Sequence, residues 1–327
     1  SPESLTMRGS LDDIRIYNRA ISGEEVSELY EDNVGGEIQN GVITYIASHK
    51  LGSTATVTAV PDLGYVFTGW TGADTGTDNP LTLTMDGNKT IGATFRAQTL
   101  SEGLVGYYPF NGNADDESGN SNNATVNGAT LTTDRNGNAD SAYALNGTDG
   151  NISAADGDHL NFADGNMTLA VWFKYTDGAR TGPIIGQSGS DGSVKKWEIF
   201  YNVADKKFYY HVFDHGVGPA YWLTGTDFTD DGQWHQIIYT KNGSAYSSYL
   251  DGQHMATQEG PTVFPNAGAD FSIGSPESLT MRGSLDDIRI YDRGLSAGEI
   301  SELYDLEKII PVPTYDLAIT DITNGSV

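Results

Sequence analysis

Cysteine is absent from this 327-residue chain, which excludes disulfide stapling and thiolate metal sites and leaves the redox compartment unmarked. Positive charge is scarce too: 18 Lys and Arg stand against 44 Asp and Glu, for a net charge of −26. Phosphate backbones and anionic lipid headgroups are therefore repelled, and cations are favoured. No apolar run approaches the ~18 to 20 residues that span a bilayer, and the first residues lack the basic and apolar regions of an export signal. Catalytic signatures are missing as well. The six histidines show no His-Glu-x-x-His spacing, and there is neither a Gly-x-Ser-x-Gly elbow nor a phosphate-binding glycine loop. Retaining glycoside hydrolysis needs two carboxylates ~5 to 5.5 Å apart, whereas Glu198 in "KWEIFYNV" stands alone and reads as a surface or hydrogen-bonded strand residue. The expectation is a protein without catalysis of its own.

What is present, first, is a duplication. "SPESLTMRGSLDDIRIYNRAISGEEVSELYE" at residues 1–31 returns as "SPESLTMRGSLDDIRIYDRGLSAGEISELYD" at 275–305, identical at 24 of 31 positions without a gap. The offset of 274 residues (275 minus 1) far exceeds the ~20 to 50 residues of a solenoid repeat, so the repeating object is a module or a pair of modules. Within each copy "LDDIRIY" alternates as a strand, and the following segment has helical spacing. Ser22 with Glu25, and Ser296 with Glu299, have the spacing of a capping box at the helix start. The length suits two to three domains, and texture divides it. Residues 1–33 read as the closing strand and helix of a preceding domain, and 34–98 as a small all-β unit with "STATVTAVPD", "GYVFTGW" and "KTIGATF". Residues 99–306 form a β-sandwich of short strands separated by Gly, Asn and Asp, and 307–327 a linker opening the next small unit. The chain thus reads as a piece of a longer array. Leu11, Ile14 and Ile16 are expected to bury against a sandwich whose other strands lie elsewhere.

The motifs of 101–305, from "GLVGYYPFNGNADDESGN" through "MTLAVWFK" and "DGQWHQIIYT" to "GSLDDIRIYDRGLSAGEISELY", resemble a bacterial laminin-G-like, concanavalin-type jelly roll. The spacer, with Gly64, Tyr65, Phe67, Gly69, Trp70, Asn88 and Phe95, is similar to the divergent bacterial relatives of the internalin B-repeat. The fold class is therefore all-β: a jelly-roll sandwich plus a small grasp-like module. The resemblance implies an extracellular or cell-surface bacterial protein of repeating units, acting in adhesion or as a stalk. The alternative it leaves open is a carbohydrate-binding module of a polysaccharide-degrading enzyme. Expected partners are neighbouring repeats or chains of the same protein and a polysaccharide or cell-surface glycan, with no nucleic acid.

Two sites follow. In "NGNADDESGN" hard oxygen ligands crowd a loop near the first sandwich strand, as suits Ca²⁺, and the resemblance places Asp116 and Asn111 with Asp286 of the closing strand around a structural ion. Alternation puts Asp286 on the apolar side with Ile288 and Ile290, where a carboxylate needs a partner. Without a metal, that partner would be backbone N–H groups. The second site is a face of aromatics: Tyr209, His211 and Phe213, with Trp172 and Phe200 at the equivalent off-core parity, form a row that could stack on sugar rings. Its structural counterpart is packing beneath long loops.

Overall fold

The computed structural model describes residues 14–16, 41–45, 52–87, 89–148, 150–155, 165–176, 181–188, 195–212, 221–262, 270–274 and 281–308. Its first strand, β1 (Ile14–Ile16), is followed by five that make the small module: β2 (Gly41–Tyr45), β3 (Thr54–Pro61), β4 (Tyr65–Gly72), β5 (Leu81–Thr84) and β6 (Lys89–Ala97). They form two three-stranded sheets, β2-β3-β5 and β1-β6-β4. Period-two alternation sends Ala55, Val57 and Ala59 of β3 inward, against Leu81, Leu83, Met85, Ile91, Ala93 and Trp70. The Trp70 indole donates to the Asp78 carbonyl at 2.7 Å, so its polar edge is satisfied where the ring is buried.

β1 belongs to the first copy of the duplicated segment. Here it lies antiparallel along β6, Ile14 opposite Ile91 and Ile16 opposite Lys89, as an edge strand of the small module. The expectation was burial in a sandwich; within this chain the strand's backbone groups find the open edge of β6 instead. Leu11, and the rest of residues 1–33 beyond β1, lie outside the described residues.

The sandwich begins with β7 (Leu104–Tyr108), β8 (Thr125–Asn127), β9 (Thr130–Thr132), β10 (Ala142–Asn146), β11 (Asn151–Ala154), β12 (Met167–Tyr175), β13 (Gly182–Ser188) and β14 (Lys195–Asn202). It continues with β15 (Lys207–Val212), β16 (Tyr221–Asp227), β17 (His235–Asn242), β18 (Ala245–Leu250), β19 (Gln253–Glu259), β20 (Phe271–Gly274) and β21 (Arg282–Tyr291), then helix α1 (Ala297–Glu307). One eight-stranded sheet runs β19-β18-β17-β12-β21-β10-β9, with β7 also on β21; a seven-stranded sheet runs β16-β15-β14-β13-β20-β11-β8. Leu169, Val171 and Phe173 from the first sheet meet Trp197, Ile199, Tyr201, Phe208 and Tyr210 from the second in one core.

Strand β12 is buried along almost its whole length because its outer face is covered too. Helix α1 packs there, and Ala170, Ile238, Tyr291, Leu295, Ile300 and Leu303 form a second apolar cluster. Leu295, Ile300 and Leu303 are all but fully buried; each such side chain stabilises by ~1.5 to 3 kcal/mol. The capping box is formed: Ser296 accepts from the Glu299 N–H and Glu299 accepts from the Ser296 N–H.

Strand β21 is not regular. Ala170 faces Arg289 while Trp172 faces Asp286, so an extra residue is inserted between them, and Asp287 sits there at φ +37°. This is a β-bulge with a left-handed residue that is not glycine. Its consequence corrects the parity argument for Asp286. Leu285, Ile288 and Ile290 all face the core, because the bulge shifts alternation by one, and Asp286 therefore shares the outer face with Arg289 and Trp172.

Candidate functional site

The expected aromatic row divides between the two sheets. Trp172 lies on β12 of the eight-stranded sheet, whereas Phe200, Tyr209 and His211 lie on β14 and β15 of the seven-stranded one. Each is off the core, as parity predicts, but they point out of opposite sides of the sandwich. Trp172 is 2% exposed. Its ring stacks on Tyr304 of helix α1 at 5.8 Å and 15°, and its indole N–H donates to Glu307 Oε2 at 2.9 Å. That corrects its place in the platform: it is the seat of the helix. Phe213 lies outside the described residues.

Beneath the helix end, charge is concentrated. Arg135, from the loop between β9 and β10, meets Asp286 Oδ2 at 2.5 Å with Nη1 and Asp287 Oδ2 at 2.6 Å with Nη2. Its Nε donates to the Glu307 carbonyl at 2.8 Å, and its guanidinium lies 4.9 Å from the Trp172 ring centre. In a regular strand, successive side chains leave by opposite faces; the bulge is what lets both aspartates reach one guanidinium. Arg289 pairs with Glu307 Oε1 at 2.5 Å and stacks 3.8 Å over Tyr107, whose hydroxyl donates to Asp287 at 2.8 Å. Gln236 donates to Glu307 Oε2 at 2.9 Å. Burial, reinforced by Asp287 and opposed by Arg135, pushes the Asp286 carboxyl up to about 7. Burial likewise raises Glu307, against the pull of Arg289.

The donor set does not fit the expected Ca²⁺. Both Asp116 oxygens are occupied: Oδ1 accepts the Tyr107 and Ser118 N–H groups and Oδ2 accepts the Ser118 hydroxyl and the Asn122 N–H, all at 2.9 Å. Asp286 gives Oδ2 to Arg135 and Oδ1 to the Asp287 N–H at 2.9 Å. Asn111 is exposed on the loop. Among the described residues no group of three or more His, Asp or Glu is placed to hold a metal ion. Asp116 organises its own loop, as a carboxylate accepting backbone donors does, and a guanidinium answers the charge of Asp286.

The other outer face is built differently. Register carries one continuous row across the seven-stranded sheet: Ser153 opposite Ser272, Ser272 opposite Gly186, Gly186 opposite Glu198, and Glu198 opposite His211. Small residues thus lead up to an acid and an imidazole, with His211 Nδ1 3.3 Å from Glu198 Oε1. A Cβ at Gly186 would come within 2.7 Å of the Trp197 carbonyl, so the close approach of β13 to β14 there requires glycine. Glu198 and His211 are 7% and 6% exposed, so this polar end of the row is all but closed to solvent. Phe200 and Tyr209, opposite one another two residues along, are partly exposed; the Tyr209 hydroxyl donates to Asp205 at 2.5 Å. Glu198 is the hydrogen-bonded strand residue expected, and its partner is an imidazole. Its pairing with His211 has one signal in the sequence, the hairpin turn "VADK", which fixes it once Asn202 and Lys207 are opposed. Arg135 has only that of a lone basic residue in the acidic loop "TTDRNGNAD".

Residues 146–301 match the concanavalin A-like lectin/glucanases superfamily, and residues 36–99 match the divergent InlB B-repeat domain. The two matches lie in tandem along the chain. No curated protein matches it. Among solved structures it is similar to the binding domain of Paraclostridial Mosquitocidal Protein 1, at 17% identity and a TM-score of 0.53 over 64% of this chain and 53% of that one. It is similar also to the receptor binding domain of botulinum neurotoxin C/D mosaic serotype, at 13% and 0.50 over 64% and 52%. Domain 4 of AbnA, a GH43 extracellular arabinanase from Geobacillus stearothermophilus solved with arabinotriose, aligns at 22% and 0.49 over 62% and 98%. The chain spans about half the length of the two toxin domains, and at these identities the likeness concerns the fold alone. Among the described residues no helix is long and apolar enough to cross a membrane.

Proposed function

We propose that the chain is a noncatalytic repeat unit of a secreted or cell-surface bacterial protein, acting in adhesion, whose concanavalin A-like module binds glycan on the outer face of its seven-stranded sheet. The observation that carries this is the pair of partly exposed rings, Phe200 and Tyr209, opposed across β14 and β15 on that face. A sugar ring offers an apolar face and a rim of hydroxyls, and these rings with the Tyr209–Asp205 pair beside them answer both. Hydrolysis is not part of the proposal, because Glu198 on that face is all but buried and pairs with His211.

The test is a glycan array with the full chain and with Tyr209→Ala. Saturable binding to a defined polysaccharide, lost in the variant while its melting temperature holds, is the expected result. Binding unchanged by Tyr209→Ala and by Phe200→Ala would overturn the assignment of the face. A second reading, an extracellular stalk with the B-repeat as spacer, is favoured by the contacts that join the two modules. The carbohydrate-binding module of a polysaccharide-degrading enzyme would give the same array result, and is separated from an adhesin by the remainder of the protein.

A further inference from the structure

The connection between the modules is short and held from both sides. The Gln98 N–H donates to the Gly64 carbonyl at 2.8 Å, tying the end of β6 to the β3–β4 turn. The Glu102 N–H donates to the Thr99 carbonyl at 3.0 Å, closing a tight turn, and the Asp292 N–H donates to the Gly103 carbonyl at 2.9 Å. Arg293, which follows β21, donates to the carbonyls of Glu102 at 2.7 Å and Thr99 at 3.0 Å and pairs with Glu299 at 2.7 Å. Leu100 packs against the apolar cluster under helix α1. Arg96 of the B-repeat reaches Glu102 at 2.7 Å, though so exposed a pair contributes little by itself.

The decisive contact is at Gly64. It adopts φ +85°, and a Cβ there would lie 2.7 Å from Ser296 Oγ and 2.9 Å from Glu299 Oε2. The β3–β4 turn of the B-repeat is thus seated on the capping box of the neighbouring module, at a distance only glycine allows.

We propose that the first turn of helix α1, with Arg293, is a docking surface for a B-repeat, so that the two modules move as one rigid unit and do not swing on a tether. The partner it fits is a B-repeat whose β3–β4 turn carries a left-handed glycine. Relative motion is the default for small inter-domain contacts; here a half-buried guanidinium, an apolar anchor and a glycine-dependent approach act together against it. Both copies of the duplicated segment carry the same three side chains, Arg19, Ser22 and Glu25 matching Arg293, Ser296 and Glu299, so the surface is encoded twice. The inference rests on the spacer reading of the B-repeat and makes that spacer a fixed-length strut.

The native chain has no cysteine, so nitroxide labels at Thr82→Cys and Gln253→Cys, both exposed, report one distance between the modules. A single narrow distribution in the full chain, broadened about twofold by Gly64→Glu, is expected if docking is what fixes the geometry. Should Gly64→Glu unfold the B-repeat, Arg293→Ala, which leaves that module untouched, is read in its place with the same expectation. A broad distribution in the unsubstituted chain overturns the proposal, as does a narrow one that both folded variants preserve. Glycan binding at Tyr209 is scored separately, so loss of the joint and failure of the binding face are distinguishable.

Discussion

The two outer faces of the sandwich start from similar materials, an aromatic row next to acids and a cation, and use them in opposite ways. On the eight-stranded sheet Trp172, Arg135, Arg289 and Glu307 are closed beneath helix α1, every one of them tied to another. On the seven-stranded sheet Glu198 and His211 pair, all but buried, while Phe200 and Tyr209 stay partly exposed. Among the described residues, what covers the eight-stranded sheet is the amphipathic helix that follows β21. Buried ions under that helix hold each other in place, and substitution there acts on stability. Phe200 and Tyr209 on the other face stay partly exposed, and on the glycan reading proposed above substitution there acts on binding.

That contrast can be broken most forcefully at Arg135. At pH 8, where Asp286 is ionised, Arg135→Ala leaves that carboxylate, itself 2% exposed, without its guanidinium, and removing one partner of a buried ion pair costs about 3 to 5 kcal/mol; a fall of that size in the free energy from denaturant melts at that pH is expected, with glycan binding per folded molecule unchanged. Ser296→Ala removes the helix cap and should cost about 1 kcal/mol in the same melts. Tyr209→Ala should change stability by less than about 1 kcal/mol, as surface substitutions do, and abolish binding.

A pH series sharpens the division further. His235, at the rim of the sandwich, sits 2.7 Å from Asp251 and 3.0 Å from Asp231. The Asp251 hydrogen bond, with help from Asp231 and against partial burial, pushes its imidazole up from 6.5 to about 9. Stability from a raised histidine is complete below pH 6.5 and lost as pH rises through about 9. Asp286 has the same sign at lower pH: the stability contributed by its retained proton is present below 3.8 and lost as pH rises through about 7. His235→Asn should therefore flatten the decline in melting temperature between pH 7 and pH 9 while leaving the part below 7. The smallest effect is expected from a chelator. With Asp116 and Asp286 already satisfied by the protein's own donors, EDTA should leave the melting temperature unmoved, since only a ligand bound to the folded state raises it by mass action.

Much of this was legible in the residues. Alternation in "MTLAVWFKY" and in "KFYYHV" of β15 sorts core from outer positions correctly, and Ser296 with Glu299 announces the helix start that the structure shows. The limits are equally physical. Parity says that Trp172 and Tyr209 face away from the core, but it carries no information about which sheet a strand joins, because sheet order is set by pairings distant in sequence. Parity also failed at Asp286, since a single inserted residue at Asp287 exchanges the faces and nothing in "LDDIRIY" marks it. Arg135 meets its partners across 151 residues of sequence, beyond the reach of any local pattern.

Hydroxyl-radical footprinting of the folded chain compares the two faces most directly, by reading the modification of Trp172 and Tyr304 against that of Phe200 and Tyr209 in one sample. Slow labelling of the first pair and fast labelling of the second, with the second protected when a bound polysaccharide is added, is what a closed face and an open one predict. Trp172 labelled as fast as Tyr209, or protected by the same polysaccharide, would contradict the division on which the binding assignment stands.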